Sequence, residues 1–79
     1  MRKYLIIKTS ELDNVDFSQT LFRDKSELQF SLDGTKTYIK WDGDDPTFLS
    51  DLRYKEGPYD NGQIISIVAA HPDWYQDSV

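Results

Sequence analysis

The feature that most restricts the fold of this chain is a pair of alternating segments, within residues 27–41, around Asp33-Gly34. Asp-Gly tolerates the positive φ angles of a type I′ turn, which is the usual two-residue connection of a β-hairpin. With that loop the register gives one apolar face, formed by the pairs Leu32–Thr35, Phe30–Thr37 and Leu28–Ile39. A three-residue loop would mix apolar and charged side chains on both faces. We therefore predict a hairpin turning at Asp33-Gly34.

A short apolar run predicts a first strand over residues 3–8. Tyr4-Leu5-Ile6-Ile7 is rich in β-forming residues and has a lysine at each end. A continuous apolar run of this length is typical of a strand that is covered on both faces. We therefore expect this strand to be central in its sheet.

Two connecting segments favour short helical turns rather than long helices. Residues 10–18 are rich in turn formers and show no sustained helical period, so at most one or two helical turns are expected, with Leu12, Val15 and Phe17 lying over the edge of the sheet. Phe48, Leu49 and Leu52 predict a further helical turn docked on the sheet. Gly57-Pro58 is expected to end any regular element in that region.

Residues 64–70 form an isoleucine-rich run that fits either a helix or a buried strand. The flanks favour a helix, because Asp60 and Gln63 have the spacing of a capping box and His71-Pro72 supplies a stop. The helix would place Ile64, Ile67 and Val68 on one face. Since β-branched residues dominate the run, a strand remains the alternative.

These elements predict an α+β fold: a three-stranded, mostly antiparallel sheet (strand, loop, β-hairpin) covered on one face by a C-terminal helix. A chain of 79 residues has room for one core, so we expect a single small domain over residues 1–79. That core would contain Leu5, Ile7, Leu28, Phe30, Ile39, Trp41, Ile64, Ile67 and Val68 together.

Composition excludes several function classes. Because the chain has no cysteine and one histidine, it offers no disulfide framework, thiolate nucleophile or cysteine metal site. Residues 1–40 carry seven Lys/Arg and six Asp/Glu, whereas residues 41–79 carry two and eight, so the net charge of −5 belongs to the second half. This balance disfavours direct nucleic-acid binding.

The apolar run near the start is too short to cross a membrane, and we expect a cytoplasmic protein.

The acidic segment that contains Asp42, Asp44 and Asp45 is the obvious candidate for a metal site, because hard cations prefer carboxylate oxygens. An EF-hand loop starting at Asp42 would need glycine and glutamate where this chain has Thr47 and Arg53. We therefore interpret the segment as a solvated turn and expect neither a metal nor a cofactor. Its carboxylates remain candidates for contact with a protein partner.

Four aromatic residues in the acidic half are further candidates for protein binding: Tyr54, Tyr59, Trp74 and Tyr75. Amphipathic aromatic side chains are enriched at protein interfaces. The alternative for Trp74 and Tyr75 is that they close the open end of a small core.

The stretch LDGTKTYIKWDGDDPTFL (residues 32–49), with Tyr59 before an isoleucine-rich helix and Asp73-Trp74 near the end, resembles small bacteriophage-encoded accessory proteins of unknown function. The resemblance covers about residues 28–75. It implies a phage or prophage accessory protein, and it implies no catalytic residues.

Three function classes follow. The first is a non-enzymatic protein-binding module that acts on a host protein with a basic surface. The second is a structural or virion-associated protein that forms a homo-oligomer. The third is a small-ligand or metal-binding protein or an enzyme. This class is disfavoured because so short a chain rarely encloses a large pocket.

Overall fold

The computed structural model describes residues 1–70, which form three strands and one α-helix. The elements are β1 (Arg2–Lys8), β2 (Lys36–Asp42), β3 (Lys55–Tyr59) and α1 (Asn61–Ala70). The strands form one antiparallel sheet in the order β2-β1-β3. The predicted α+β class, with a three-stranded antiparallel sheet and a C-terminal helix, is confirmed, and so is the central position of the first strand.

Strand β1 is buried on both faces because its apolar residues alternate between two separate clusters. Leu5 and Ile7 belong to the first cluster, whose other buried members are Leu28, Ile39, Trp41, Phe48 and Leu52. Tyr4 and Ile6 belong to the second, with Ile64 and Val68 of α1. The expectation of a single core is wrong, because Leu5, Ile7, Leu28, Phe30, Ile39 and Trp41 lie in or against the first cluster and Ile64, Ile67 and Val68 in or against the second. The helix covers the face of Tyr4 and Ile6, not the face of Leu5 and Ile7.

Short 3₁₀ turns connect the strands, and those after β1 and after β2 agree with the helical turns predicted for residues 10–18 and around Phe48. They span Thr9–Asn14, Phe17–Gln19, Lys25–Glu27 and Thr47–Asp51. Leu12, Val15 and Phe17 pack on the first cluster, and Phe48 and Leu52 are buried in it. A side-chain link ties two of the turns together, because Gln19 Oε1 accepts a hydrogen bond of 2.8 Å from the Thr47 backbone N–H.

The predicted hairpin forms only in part. The pairing of Phe30 with Thr37 is present, and Ser31 N donates to Lys36 O at 2.9 Å, as the predicted register requires. Beyond these contacts the first arm is not a strand, and residues 25–27 are a 3₁₀ turn instead.

The turn itself is wider than the predicted type I′ turn. Gly34 has φ +75°, but no residue other than glycine has a positive φ within residues 1–70, so Asp33 does not adopt the type I′ conformation. Instead Gly34 N donates to Ser31 O at 2.9 Å, and the Asp33 carboxylate accepts from Ser31 Oγ and from Thr35 N and Oγ1. These side-chain bonds stabilise the wider loop and leave Leu32 exposed.

The third strand is β3, which the sequence pattern did not predict. Pro58 is tolerated because β3 pairs only with β1 among the described residues, and edge strands accept proline. The register slips between the pairs Tyr4–Tyr59 and Ile6–Glu56, so the strand bulges at Gly57-Pro58. Gly57 has φ +118°, and a Cβ added there would lie 3.0 Å from Tyr4 O and 3.0 Å from Tyr59 N. Only glycine fits this position.

The C-terminal run is a helix, so the strand alternative is wrong. Asp60 and Gln63 form the predicted capping box: Gln63 N donates to Asp60 Oδ1 at 2.8 Å, and Asp60 N donates to Gln63 Oε1 at 3.0 Å. Ile64 and Val68 are buried against the sheet, and Ile67 is half-buried beside them. The predicted stop at His71-Pro72 lies outside the described residues.

Candidate functional site

Most candidate residues lie at one end of the sheet, where β1 begins and β2 ends. Asp42 is opposite Arg2 in the β1–β2 register, and the acidic turn with Asp44 and Asp45 follows it. Tyr59 is opposite Tyr4 at the same end of β1. The structure therefore brings the acidic turn and Tyr59 to one end, which we call the acidic end: Asp42, Asp44, Asp45, Tyr59 and Asp60.

Two of the three turn aspartates already have basic partners in the chain. Arg2 Nε donates to Asp42 Oδ1 at 3.2 Å, and this bond lowers the pKa of the Asp42 carboxyl. Asp45 Oδ1 accepts from Lys3 Nζ at 3.2 Å and from the indole N–H of buried Trp41 at 3.3 Å. Asp44 is exposed and makes no hydrogen bond or ion pair within residues 1–70. Asp44 is therefore the turn carboxylate that is free to meet a partner.

The acidic turn does not assemble a metal site. Among residues 1–70 no group of three or more His, Asp or Glu side chains is arranged to hold a metal ion. Asp42 and Asp45 instead hold the turn against the beginning of β1 through Arg2 and Lys3.

Beside α1, Tyr59 lines a shallow depression of about 490 Å³. Ile67 provides a second apolar wall, and Asp60 lies at its rim, at the start of the helix. The remaining lining residues are small or polar: Gly62, Gln63 and Ser66. Tyr59 and Ile67 are half-buried, because each also packs on the second cluster. The depression therefore presents apolar surface from the end of β3 and from α1, beside the Asp60 carboxylate.

Tyr54 lies at the opposite end of β1, about 20 Å from the acidic end for a strand of this length. Its ring is approached by two ammonium groups, with Lys8 Nζ 5.0 Å and Lys36 Nζ 5.7 Å from the ring centroid. These lysines were not predicted from the sequence, because their proximity depends on the pairing of β1 with β2. Tyr54 thus belongs to a different surface from Tyr59. Trp74 and Tyr75 lie outside the described residues.

Three other aspartates within residues 1–70 stabilise turns. Asp16 and Asp24 accept hydrogen bonds from the backbone N–H groups of Ser18 and Ser26, and hydroxyl bonds from the same serines are the largest cause of the lowered pKa of each carboxyl. The Thr35 backbone N–H, followed by the Ser31 hydroxyl, lowers the pKa of Asp33 to about 2. This agrees with the preference of aspartate for turns and caps.

The Glu11 carboxylate is buried rather than solvated. Glu11 Oε1 accepts from the Arg53 backbone N–H at 3.2 Å, and its Oε2 accepts from Asn14 Nδ2 at 3.2 Å. Glu11 therefore joins the turn after β1 to the segment that carries Tyr54.

Within residues 1–70, no helix has the length and apolar character that a crossing of the bilayer requires. Comparisons of the chain with protein-family models, with curated proteins and with solved structures found no match.

Proposed function

We propose that this chain is a small, acidic, non-enzymatic protein-binding module whose partner has a basic surface. The observation that carries the proposal is the acidic end of the sheet, where the depression between Tyr59 and Ile67 lies beside Asp60. Apolar and aromatic anchors with a charged rim are typical of protein interfaces.

Charge supports the choice of a basic partner. The net charge of the chain is −5, and at the acidic end Asp42, Asp44, Asp45 and Asp60 outnumber Arg2 and Lys3. Complementary charge steers association and raises the rate at which partners meet. A partner that places a lysine or arginine near Asp44 or Asp60 and an apolar side chain between Tyr59 and Ile67 would satisfy both features.

The resemblance to phage accessory proteins supports a biological setting for this binding. In that setting the chain would act in the host cytoplasm on a bacterial protein, and we propose neither nucleic acid nor a membrane as its target. A polyanion would be repelled by the net charge.

The test is affinity capture from a bacterial lysate at low and at high salt, with identification by mass spectrometry. The decisive variant is Ile67→Asn, in the depression, and the matched control is Ile65→Asn. Ile65 is on the same helix and is 45% exposed. It lines a separate groove, which Tyr38 also lines and which does not include Tyr59 or Ile67. We expect one basic protein to bind the wild type and Ile65→Asn, and to be lost with Ile67→Asn and at high salt.

Two outcomes would contradict the proposal. Capture that is equal for both isoleucine variants would exclude the depression as the contact. A stable oligomer of the chain in light scattering, lost with Ile67→Asn, would instead favour the structural, homo-oligomeric alternative.

A further inference from the structure

The second surface lies at the opposite end of β1 and has the opposite charge. Lys8 and Lys36 are directly opposite each other in the antiparallel β1–β2 register. Because side chains alternate along a strand, both point to the face that α1 covers, with Tyr4 and Ile6. β3 begins with Lys55 opposite Ile7, so the preceding Tyr54 is next to Lys8. One row across the sheet therefore holds a tyrosine and two lysines.

Like charges that face each other directly across two strands destabilise a sheet. Three of the other basic residues pair with a carboxylate, Arg2 with Asp42, Lys3 with Asp45 and Arg23 with Glu27, whereas Lys25, Lys40, Arg53 and Lys55 form no ion pair within residues 1–70. Within residues 1–70, neither Lys8 nor Lys36 forms an ion pair with a carboxylate. Glu56 is in the neighbouring row of the same face, opposite Ile6, and makes no ion pair with either lysine.

The Tyr54 ring holds both ammonium groups through cation–π attraction. Its position is fixed from both sides, because the Arg53 backbone is bonded to buried Glu11 and Lys55 Nζ donates to Leu49 O at 2.8 Å. The Tyr54 hydroxyl has no hydrogen-bond partner in the described part of the chain. The site thus offers two cations and a phenol donor around one rigid ring.

These donors indicate the charge of the ligand. Two ammonium groups match one doubly charged anion, and a phosphoryl group carries about −1.5 to −2 charges at neutral pH with three acceptor oxygens. Lysine binds phosphate as a compact point charge. An extended polyanion is disfavoured by the net charge of −5 on the whole chain.

We propose that Lys8, Lys36 and Tyr54 form a binding site for a single phosphoryl dianion, either free phosphate or a phosphate monoester. This site is separate from the acidic end, and it does not depend on the protein-binding function proposed there.

The experiment is an NMR titration of the ¹⁵N-labelled chain at pH 8 and constant ionic strength. The probes are inorganic phosphate, methyl phosphate and methyl sulfate, of which the last has a similar shape but a single charge. We expect saturable shifts at Lys8, Lys36 and Tyr54 with the phosphates and much weaker shifts with methyl sulfate. Binding of methyl phosphate would identify monoesters as ligands, whereas binding of inorganic phosphate alone would identify the free ion.

Lys8→Gln and Lys36→Gln should each weaken phosphate binding about tenfold, because each removes one of two charge-assisted contacts. Lys25→Gln is the matched control, since Lys25 is an exposed lysine with no ion pair in the described part of the chain, on the 3₁₀ turn of residues 25–27. The spectrum of each variant reports whether the fold is intact. Equal effects of all three substitutions, equal binding of methyl sulfate, or shifts spread over all lysines would overturn the proposal.

Discussion

Replacement of Gly57 by alanine is expected to be among the most damaging single-methyl changes in the sheet. Gly57 lies in the bulge of β3 with φ +118°, a region that side chains rarely adopt. The added Cβ would be 3.0 Å from Tyr4 O and Tyr59 N, and 3.2 Å from Tyr59 Cδ2. The two closest atoms are backbone atoms of paired strands, so they cannot move without disturbing the Tyr4–Tyr59 pair.

The magnitude has two parts. A residue held in a sparsely populated backbone region costs about 1–3 kcal/mol. Overpacking against atoms that cannot yield costs about 1–3 kcal/mol more. The free energy of unfolding should therefore fall by about 2–6 kcal/mol, a large part of the roughly 4–12 kcal/mol expected for a domain of this size.

Gly34→Ala is the matched control for this change. Gly34 also has a positive φ, +75°, but a Cβ there meets no atom within 4 Å. Only the backbone cost of about 1–2 kcal/mol remains. Urea unfolding followed by far-UV circular dichroism gives both free energies. If Gly57→Ala is no more destabilising than Gly34→Ala, the close approach of β3 to β1 at Tyr4 does not exist as described.

Three further substitutions test the caps, the turn and the acidic end. Asp60→Ala removes the capping bond to Gln63 N and should lower the free energy of unfolding by about 0.5–2 kcal/mol, measured in urea, whereas an unchanged value would exclude the capping box. The pKa of Asp33 is lowered from 3.8 to about 2, so its ionised form stabilises the folded chain above about pH 4, and this stabilisation is lost as the pH falls toward 2. The stability difference between the wild type and Asp33→Asn should therefore shrink across that window, and a constant difference would contradict the turn bonds. The triple change of Asp42, Asp44 and Asp45 to Asn removes two exposed ion pairs, which contribute little to stability, and millimolar Ca²⁺ or Mg²⁺ should leave the melting temperature of the wild type unchanged. A metal-dependent rise that vanishes in the triple variant would instead identify a cation site.

Local sequence signals predicted the structure correctly where the stabilising contacts join residues that are close together in the chain. The apolar run before Lys8 predicted a strand buried on both faces, and β1 is that strand. The spacing of Asp60 and Gln63 predicted the start of the helix, and both bonds of the capping box are present. In each case the stabilising contacts lie within the segment or follow from its period.

The errors arose where side chains or distant strands decide the structure. Leu28 was assigned to a hairpin strand by alternation, but it is buried in the first cluster without strand pairing. The Asp33 carboxylate stabilises a loop that the Asp-Gly pair alone does not predict. β3 was missed because Gly57-Pro58 is typical of a turn, whereas at an edge the same pair is accommodated by a bulge.

The same distinction between local and long-range contacts applies to the candidate functional residues. The acidic turn was visible from the sequence, because its members are neighbours in the chain. The pairing of Lys8 with Lys36 was not, because it depends on the long-range register of β1 with β2. Nothing in the segment around either lysine indicates its partner.

The structural roles of the aspartates determine which substitution can test the proposed electrostatic contact. Asp16, Asp24, Asp33 and Asp60 each accept a bond from a backbone N–H, so their replacement would change the fold as well as the charge. Three other aspartates are exposed and make no side-chain hydrogen bond or ion pair in the part of the chain that the structure describes: Asp13, Asp44 and Asp51, of which only Asp44 lies at the acidic end. Asp44→Asn and Asp51→Asn therefore remove the same charge at different places. If the partner contacts the acidic end, only Asp44→Asn should weaken capture at low salt. Equal weakening by both would mean that the net charge of the chain, and not this end of the sheet, attracts the partner.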